Sequence, residues 1–136
     1  MTNNQIILKL VSKSDYRFLY NLLKERDSRT NISHKKMPTY HQHVDFVKSK
    51  PYTKWYIVKY RSKKIGSIYL TSQNEIGIFI KNTHQNKNLG GVIISQLIEK
   101  NPRERYLANV SPKNKMSEKF FKSHGFKFIQ KTYELT

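Results

Sequence analysis

The hydrophobic pattern opens on an extended apolar run, Gln5–Val11, and then changes period. Phe18, Leu19, Leu22 and Leu23 recur at i, i+1, i+4 and i+5. That spacing is one face of a helix, which Ser14 caps and which runs through Asp27. Asp27–Lys36 is polar and reads as a loop. Thr39 with Gln42 three residues later is a capping-box pair. It predicts a second helix with Tyr40, Val44 and Val47 on one face, and Pro51 forbids its continuation.

The middle of the chain is β-branched and aromatic. Lys54–Tyr60 and Ile65–Thr71 read as strands around Arg61-Ser62-Lys63-Lys64, a four-residue hairpin turn. Ser72-Gln73-Asn74 is a second turn, and Glu75–Ile80 completes an antiparallel meander. Lys81–Lys87 is a loop, after which Leu89, Val92, Ile93, Gln96 and Leu97 mark a helix over Asn88–Lys100, with Pro102 beyond its end. Arg105–Val110 reads as a strand broken by Ser111-Pro112. Asn114–His124 reads as a helix with Met116, Phe120 and Phe121 apolar and Gly125 as its C-terminal glycine cap. Phe126–Leu135 alternates like a last strand. The order β-α-α-β-β-β-α-β-α-β predicts an α+β fold, with one mixed, mostly antiparallel sheet flanked by helices, in a single domain over residues 1–136.

Composition narrows the chemistry. The 136 residues are only 37 % hydrophobic, yet 9 Tyr, 7 Phe and 1 Trp supply the bulk for a core. Without cysteine there is no disulfide framework, thiolate metal site or thiol nucleophile. No apolar run nears the ~20 residues that span a bilayer, so a soluble, cytoplasmic protein without a membrane partner is expected. Lys and Arg number 26 against 9 Asp and Glu, a formal charge of +17 that attracts anions. The charge is spread, 20 of the 26 are lysines, and the longest basic run is two residues. A generally anion-friendly surface is favoured over a dedicated nucleic-acid face. Trp55, Tyr56 and Tyr69 alternate with basic residues as base-stacking surfaces do, but strand core is the favoured reading. His41 and His43, two apart on a helix, do not share a face; they read as surface histidines, and no metal is expected.

Residues 75–91 carry the chemistry. They read strand, polar loop, helix start, with Gly90 and Gly91 in the first turn. Unpaired N–H groups and the positive end of the helix dipole suit a phosphate there. The two glycines serve close helix packing equally well, and the residues alone leave both readings open. His84, just before the loop, either adds positive charge or is an ordinary loop histidine. Neither G-x-x-x-x-G-K-[ST] nor G-x-G-x-x-G occurs.

Gln85-Asn86-Lys87-Asn88-Leu89-Gly90 resembles the acyl-CoA loop, [QR]-x-x-G-x-[GA], of the Gcn5-related N-acetyltransferase (GNAT) superfamily. Asn88 stands where the first glycine is usual, and asparagine tolerates left-handed backbone angles. Glu75-Ile76-Gly77-Ile78-Phe79-Ile80 is similar to the E-I-G-x-x-I strand of the subgroup that acetylates ribosomal-protein amino termini and amino-sugar nucleotides. Asn114-x-x-Ser117-x-x-Phe120-Phe121-x-x-x-Gly125-Phe126 is similar to N-x-x-[AS]-x-x-[LF]-[YF]-x-x-x-G-F. Together the matches cover about residues 54–128.

The resemblance implies acetyl transfer from acetyl-CoA to an amine by direct attack, without a metal. Backbone amides of Gln85, Asn86, Lys87, Asn88, Leu89, Gly90 and Gly91 would hold the diphosphate, with Lys87 adding charge. Ile78, Phe79 and Ile80 would line pantetheine through their main chain, and Asn109, Asn114, Ser117 and Phe121 would complete the coenzyme site. Glu75 is the candidate base; its other reading is a strand-end carboxylate balancing lysines. Ser117 is the candidate acid, because Phe121 occupies the position where many members carry a tyrosine; its other reading is a small residue in a helix contact. Asn31, Ser33, His34 and Tyr133 are candidate acceptor contacts, Tyr133 also a second proton donor. The expected partner is an amine-bearing small molecule, a nucleotide-linked sugar or a protein terminus. The charge favours an anionic one, such as a nucleotide-linked amino sugar, an acidic protein terminus or a nucleic-acid base. Only ten residues follow Phe126, where most members carry a two-strand hairpin. A monomer then lacks part of the acceptor wall, or a homodimer supplies it. The alternative is a catalytically impaired GNAT-like module that binds nucleic acid or another anionic partner through its basic surface.

Overall fold

Alternation along four strands sorts the side chains of one sheet onto two faces. The computed structural model describes residues 5–27, 37–85 and 87–136. The elements are β1 (Ile6–Leu10), α1 (Tyr16–Asp27), α2 (Tyr40–Lys48), β2 (Lys54–Tyr60), β3 (Lys63–Leu70), β4 (Ile76–Ile80), α3 (Gly90–Lys100) and α4 (Lys115–Ser123). The strands lie in the order β1-β2-β3-β4, each antiparallel to its neighbour. Tyr56, Val58, Ile65, Ile68, Leu70 and Ile76 face Leu89, Ile93, Ile94 and Leu97 of the α3 side in the main core. Ile57 faces the other way, onto Leu19 of α1 and Val47 of α2. Helices thus cover both faces of an α+β sheet.

Local chemistry sets the boundaries. The expected capping box forms: Thr39 N donates to Gln42 Oε1 (2.9 Å), and Gln42 N donates to Thr39 Oγ1 (3.1 Å). The helix expected to start at Ser14 starts instead through a 3-10 turn, Lys13–Asp15, so Ser14 is not its cap. The β2–β3 turn is two residues rather than four. Arg61 and Ser62 take φ of 51° and 69°, the left-handed pair of a type I′ hairpin, while Lys63 and Lys64 pair in the ladder. A register shift near Val58 then brings Ile65 onto the same core as Ile68 and Leu70.

Two expected strands are corrected. Arg105–Val110 forms no strand; it touches the sheet through one parallel bridge, Glu75 to Leu107. Phe126–Leu135 forms none either. No backbone hydrogen bond among the described residues joins 127–135 to a strand, and Phe128, Ile129, Tyr133 and Leu135 are exposed.

Asp15 ties three elements together. Its carboxylate is fully buried and meets Lys9 Nζ of β1 (2.7 Å), Lys64 Nζ of β3 (2.6 Å) and the Ser12 N–H (2.9 Å). Burial alone pushes the carboxyl up, but the Lys64 and Lys9 hydrogen bonds and the Ser12 N–H outweigh it and hold the pKa at about 2. Because that lies below the unfolded value, the stabilisation is present above about pH 4 and lost as pH falls through about 2. Asp15→Ala is expected to cost about 3 kcal/mol in urea unfolding, the cost of breaking a buried ion pair. The wild type loses about 2 kcal/mol between pH 4 and 2 that the variant does not lose.

Candidate active site

The sheet opens at the edge of β4. The Ile76 N–H donates to Leu107 O (2.7 Å), and the Leu107 N–H donates to Asn74 O (2.8 Å). Beyond that bridge, no backbone hydrogen bond among the described residues joins 77–80 to 108–112. The N–H and C=O groups of Glu75 and Lys81 bracket the odd positions that bond β3: Glu75 O accepts from the Thr71 N–H, and the Lys81 N–H donates to Ile65 O. Alternation therefore turns the N–H and C=O of Ile78 and Ile80 toward the open edge. Past the bridge the two segments run without a ladder between them, and this unladdered gap is the candidate cleft.

Side chains hold the two arms in place. The Tyr106 hydroxyl donates to Asn101 O (2.6 Å) and accepts from the Arg103 N–H (2.8 Å). Arg103 Nη1 donates to Asn74 Oδ1 (2.7 Å) on the β3–β4 turn. These bonds seat Leu107 without a ladder. On the other arm, Gln85 Nε2 donates to Ile80 O (2.7 Å), folding the loop back onto the end of β4. The Asn82 N–H donates to Glu25 Oε1, which anchors the same loop to α1.

At the loop's end, Asn88 has φ of 58°, the left-handed conformation that suits glycine or asparagine. No protein acceptor among the described residues takes the N–H of Asn88, Leu89, Gly90 or Gly91, and Gly90 is buried. No acidic residue stands in the first turn of α3. Those donors fit an anion. The two glycines also serve packing: a Cβ on Gly90 would lie 2.5 Å from Phe120 Cε1, and one on Gly91 2.6 Å from His124 Nε2. Both readings of the glycine pair therefore hold together, since α4 lies close over the first turn of α3. Burial first, then the charges of Lys87, Lys81 and Lys63, hold the His84 imidazole below its ordinary pKa, so it favours the neutral form.

Glu75 stands at the apex of the cleft. Its Oε1 accepts from Thr71 Oγ1 (3.1 Å) and its Oε2 from Asn109 Nδ2 (2.8 Å). Asn109, expected to touch the coenzyme, thus spans the cleft to the carboxylate. Thr71 escaped the sequence reading, although its place in the Thr71–Glu75 turn, where its Oγ1 accepts from the Gln73 N–H (3.2 Å), is a typical threonine turn. Asn114 Oδ1 caps α4 by accepting from the Ser117 N–H (3.1 Å). Among the described residues, no hydrogen bond engages the Ser117 hydroxyl.

The far end of α4 explains the rest of its motif. Gly125, at φ of 93°, donates to Lys122 O, and the Phe126 N–H donates to Phe121 O (3.0 Å). The rings of Phe121 and Phe126 meet edge-on at 5.1 Å, completing a Schellman cap. Phe121 is buried in the main core.

Tyr133 is 85 % exposed and the structure does not bring it to the cleft. Asn31, Ser33, His34 and Asn86 lie outside the described residues. His43, expected at the surface, is buried between Tyr20 and Phe46. Tyr56 is core, as expected, while Trp55 and Tyr69 are half-buried on the α1–α2 face. Among the described residues no group of three or more His, Asp or Glu could hold a metal, and no helix is long and apolar enough to cross a membrane.

Residues 16–126 match the acetyltransferase (GNAT) family, and the chain belongs to it. No curated protein matches the chain by sequence. Among solved structures it is similar to a domain from Methanocaldococcus jannaschii (TM-score 0.82, 22 % identity, covering 95 % of this chain and 92 % of that one). It is also similar to an acetyltransferase from Thermus thermophilus (TM-score 0.74, 17 % identity, 96 % and 92 % covered). A third is RimL, a ribosomal L7/L12 alpha-N-protein acetyltransferase in complex with CoA (TM-score 0.73, 12 % identity, 93 % and 82 % covered). Each is a likeness of fold.

Asn88→Ala is expected to cost about 1 kcal/mol in thermal unfolding, since a β-carbon without asparagine's local hydrogen bonding is strained at positive φ. Asn88→Gly is expected to cost nothing or to stabilise.

Proposed function

We propose that the protein moves an acetyl group from acetyl-CoA to a primary amine, in the cleft where β4 and residues 107–112 part. The observation that carries this reading is the single bridge at Leu107, beyond which the Ile78 and Ile80 edge has no backbone partner among the described residues. Bound acetyl-CoA supplies an activated acyl carbonyl. The chain supplies the rest. N–H groups from Asn88 to Gly91 hold the diphosphate at the positive end of α3, and Gln85 keeps that loop docked on β4. The Ile78 N–H, on the open edge, donates to the carbonyl oxygen as charge develops there.

Glu75 takes the proton from the amine, directly or through one water. Thr71 and Asn109 fix its carboxylate at the apex, so its orientation costs nothing at the moment of reaction. Ser117 gives a proton to the leaving thiolate and regains one from water, since Phe121 has none to give. The positive field draws an acceptor with an anionic body, such as an acidic protein terminus or a nucleotide-linked amino sugar. The fold shared with a protein N-terminal acetyltransferase supports the first of these.

The test is ligand-linked unfolding. Acetyl-CoA at ~100 times its Kd is expected to stabilise the protein by about 2.7 kcal/mol. Glu75→Gln is expected to keep that shift while kcat falls by ~10²–10⁴, the usual worth of a general base. Absence of any shift at millimolar acetyl-CoA would remove the reading.

A further inference from the structure

On the opposite face of the sheet a tyrosine of β3 reaches over β4, and the proposed coenzyme site leaves it unused. Ile76, Ile78 and Ile80 pack toward α3, so Glu75 and Gly77 present the α1–α2 face. Tyr69 on β3 is the direct partner of Gly77. Its ring lies flat across the strand there: a β-carbon at position 77 would collide with Cζ, Cε2 and the hydroxyl of Tyr69. Tyr52 stacks on that ring, with centroids 3.7 Å apart and planes at 5°. Trp55 in turn meets Tyr52 edge-on at 4.7 Å. The phenol is thereby locked over β4, two residues from Glu75 and one face-neighbour from Thr71, which holds Glu75.

We propose that Tyr69 is the acceptor-side wall of the reaction site, its hydroxyl oxygen accepting an N–H of the incoming amine as the nitrogen lies between Glu75 and the cleft. A phenol is suited to this place because its hydroxyl oxygen can accept an N–H while its ring packs flat over Gly77. Burial, then the neighbouring Tyr69, push the stacked Tyr52 phenol well above its ordinary range. The glycine at 77 is explained by the same geometry, since any larger residue would evict the ring. The proposal rests on the acetyl-transfer reading and assigns its acceptor site.

Calorimetric titration separates the two. The probes are CoA itself and a conjugate whose CoA sulfur carries –CH₂–CO–NH–butyl, which places an amide N–H where the amine would stand. The wild type is expected to bind the conjugate more tightly than CoA. Tyr69→Phe, which keeps the stack, is expected to lower that ratio by ~3–10-fold, the worth of one hydrogen bond, with CoA affinity unchanged. Gly77→Ala, which displaces the ring but retains the hydroxyl, is expected to lower the ratio too. A ratio of one in the wild type, or the same ratio in the wild type and Tyr69→Phe, overturns the assignment of Tyr69 while leaving coenzyme binding intact. Failure of the wild type to bind CoA overturns the acetyl-transfer reading and this proposal with it.

Discussion

One pair of backbone hydrogen bonds, between Leu107 and the start of β4, decides what kind of molecule this is. Had the ladder continued to residue 110, the edge of β4 would be closed and its amides spent. Had it not formed, Glu75 and Asn109 would have no reason to meet. Arg103 and Tyr106 make the half-formed pairing stable, because they fasten the strand's approach to Asn101 and to the β3–β4 turn. Side-chain bonds do locally what a ladder does elsewhere, and past the bridge no backbone hydrogen bond among the described residues joins the two segments.

The sheet divides the remaining work between its faces. The α3 face is aliphatic and tightly filled by Ile65, Ile68, Leu70, Ile93 and Leu97, all inaccessible to solvent. Through Leu89 and Ile93 it supports the start of α3 and the end of the loop before it. The α1–α2 face is aromatic, with Tyr20, His43, Phe46, Tyr52, Trp55 and Tyr69 in ring contact. The Asp15 knot lies near the far end of the same sheet, joining β1 to β3.

Most of the architecture was legible because it is written in local signals. The Thr39–Gln42 box, the periodicity of α1 and α3, and the Gly125 stop each act within a few residues. Asn88 was legible too, since its left-handed backbone follows from its standing in a glycine's place. The misreadings have a common cause. Arg61-Ser62 carries no Asn-Gly signature, so the tight hairpin looked like a longer turn. Arg105–Val110 and Phe126–Leu135 have the composition of strands, but composition does not say whether a partner is present to complete the ladder. The link from Asn109 to Glu75 spans 34 residues and is a consequence of topology. The Tyr69–Gly77 contact crosses two strands, and the sequence shows only a glycine in a strand.

Trp55 is the sole tryptophan, and it sits within the aromatic face, 6.1 Å from Phe46 and 6.5 Å from Tyr69. Indole emission from this protein is therefore a one-sided witness. It reports loosening or rearrangement of the α1–α2 layer and is blind to events confined to the aliphatic side, so optical and calorimetric melting curves would separate if the two layers came apart independently.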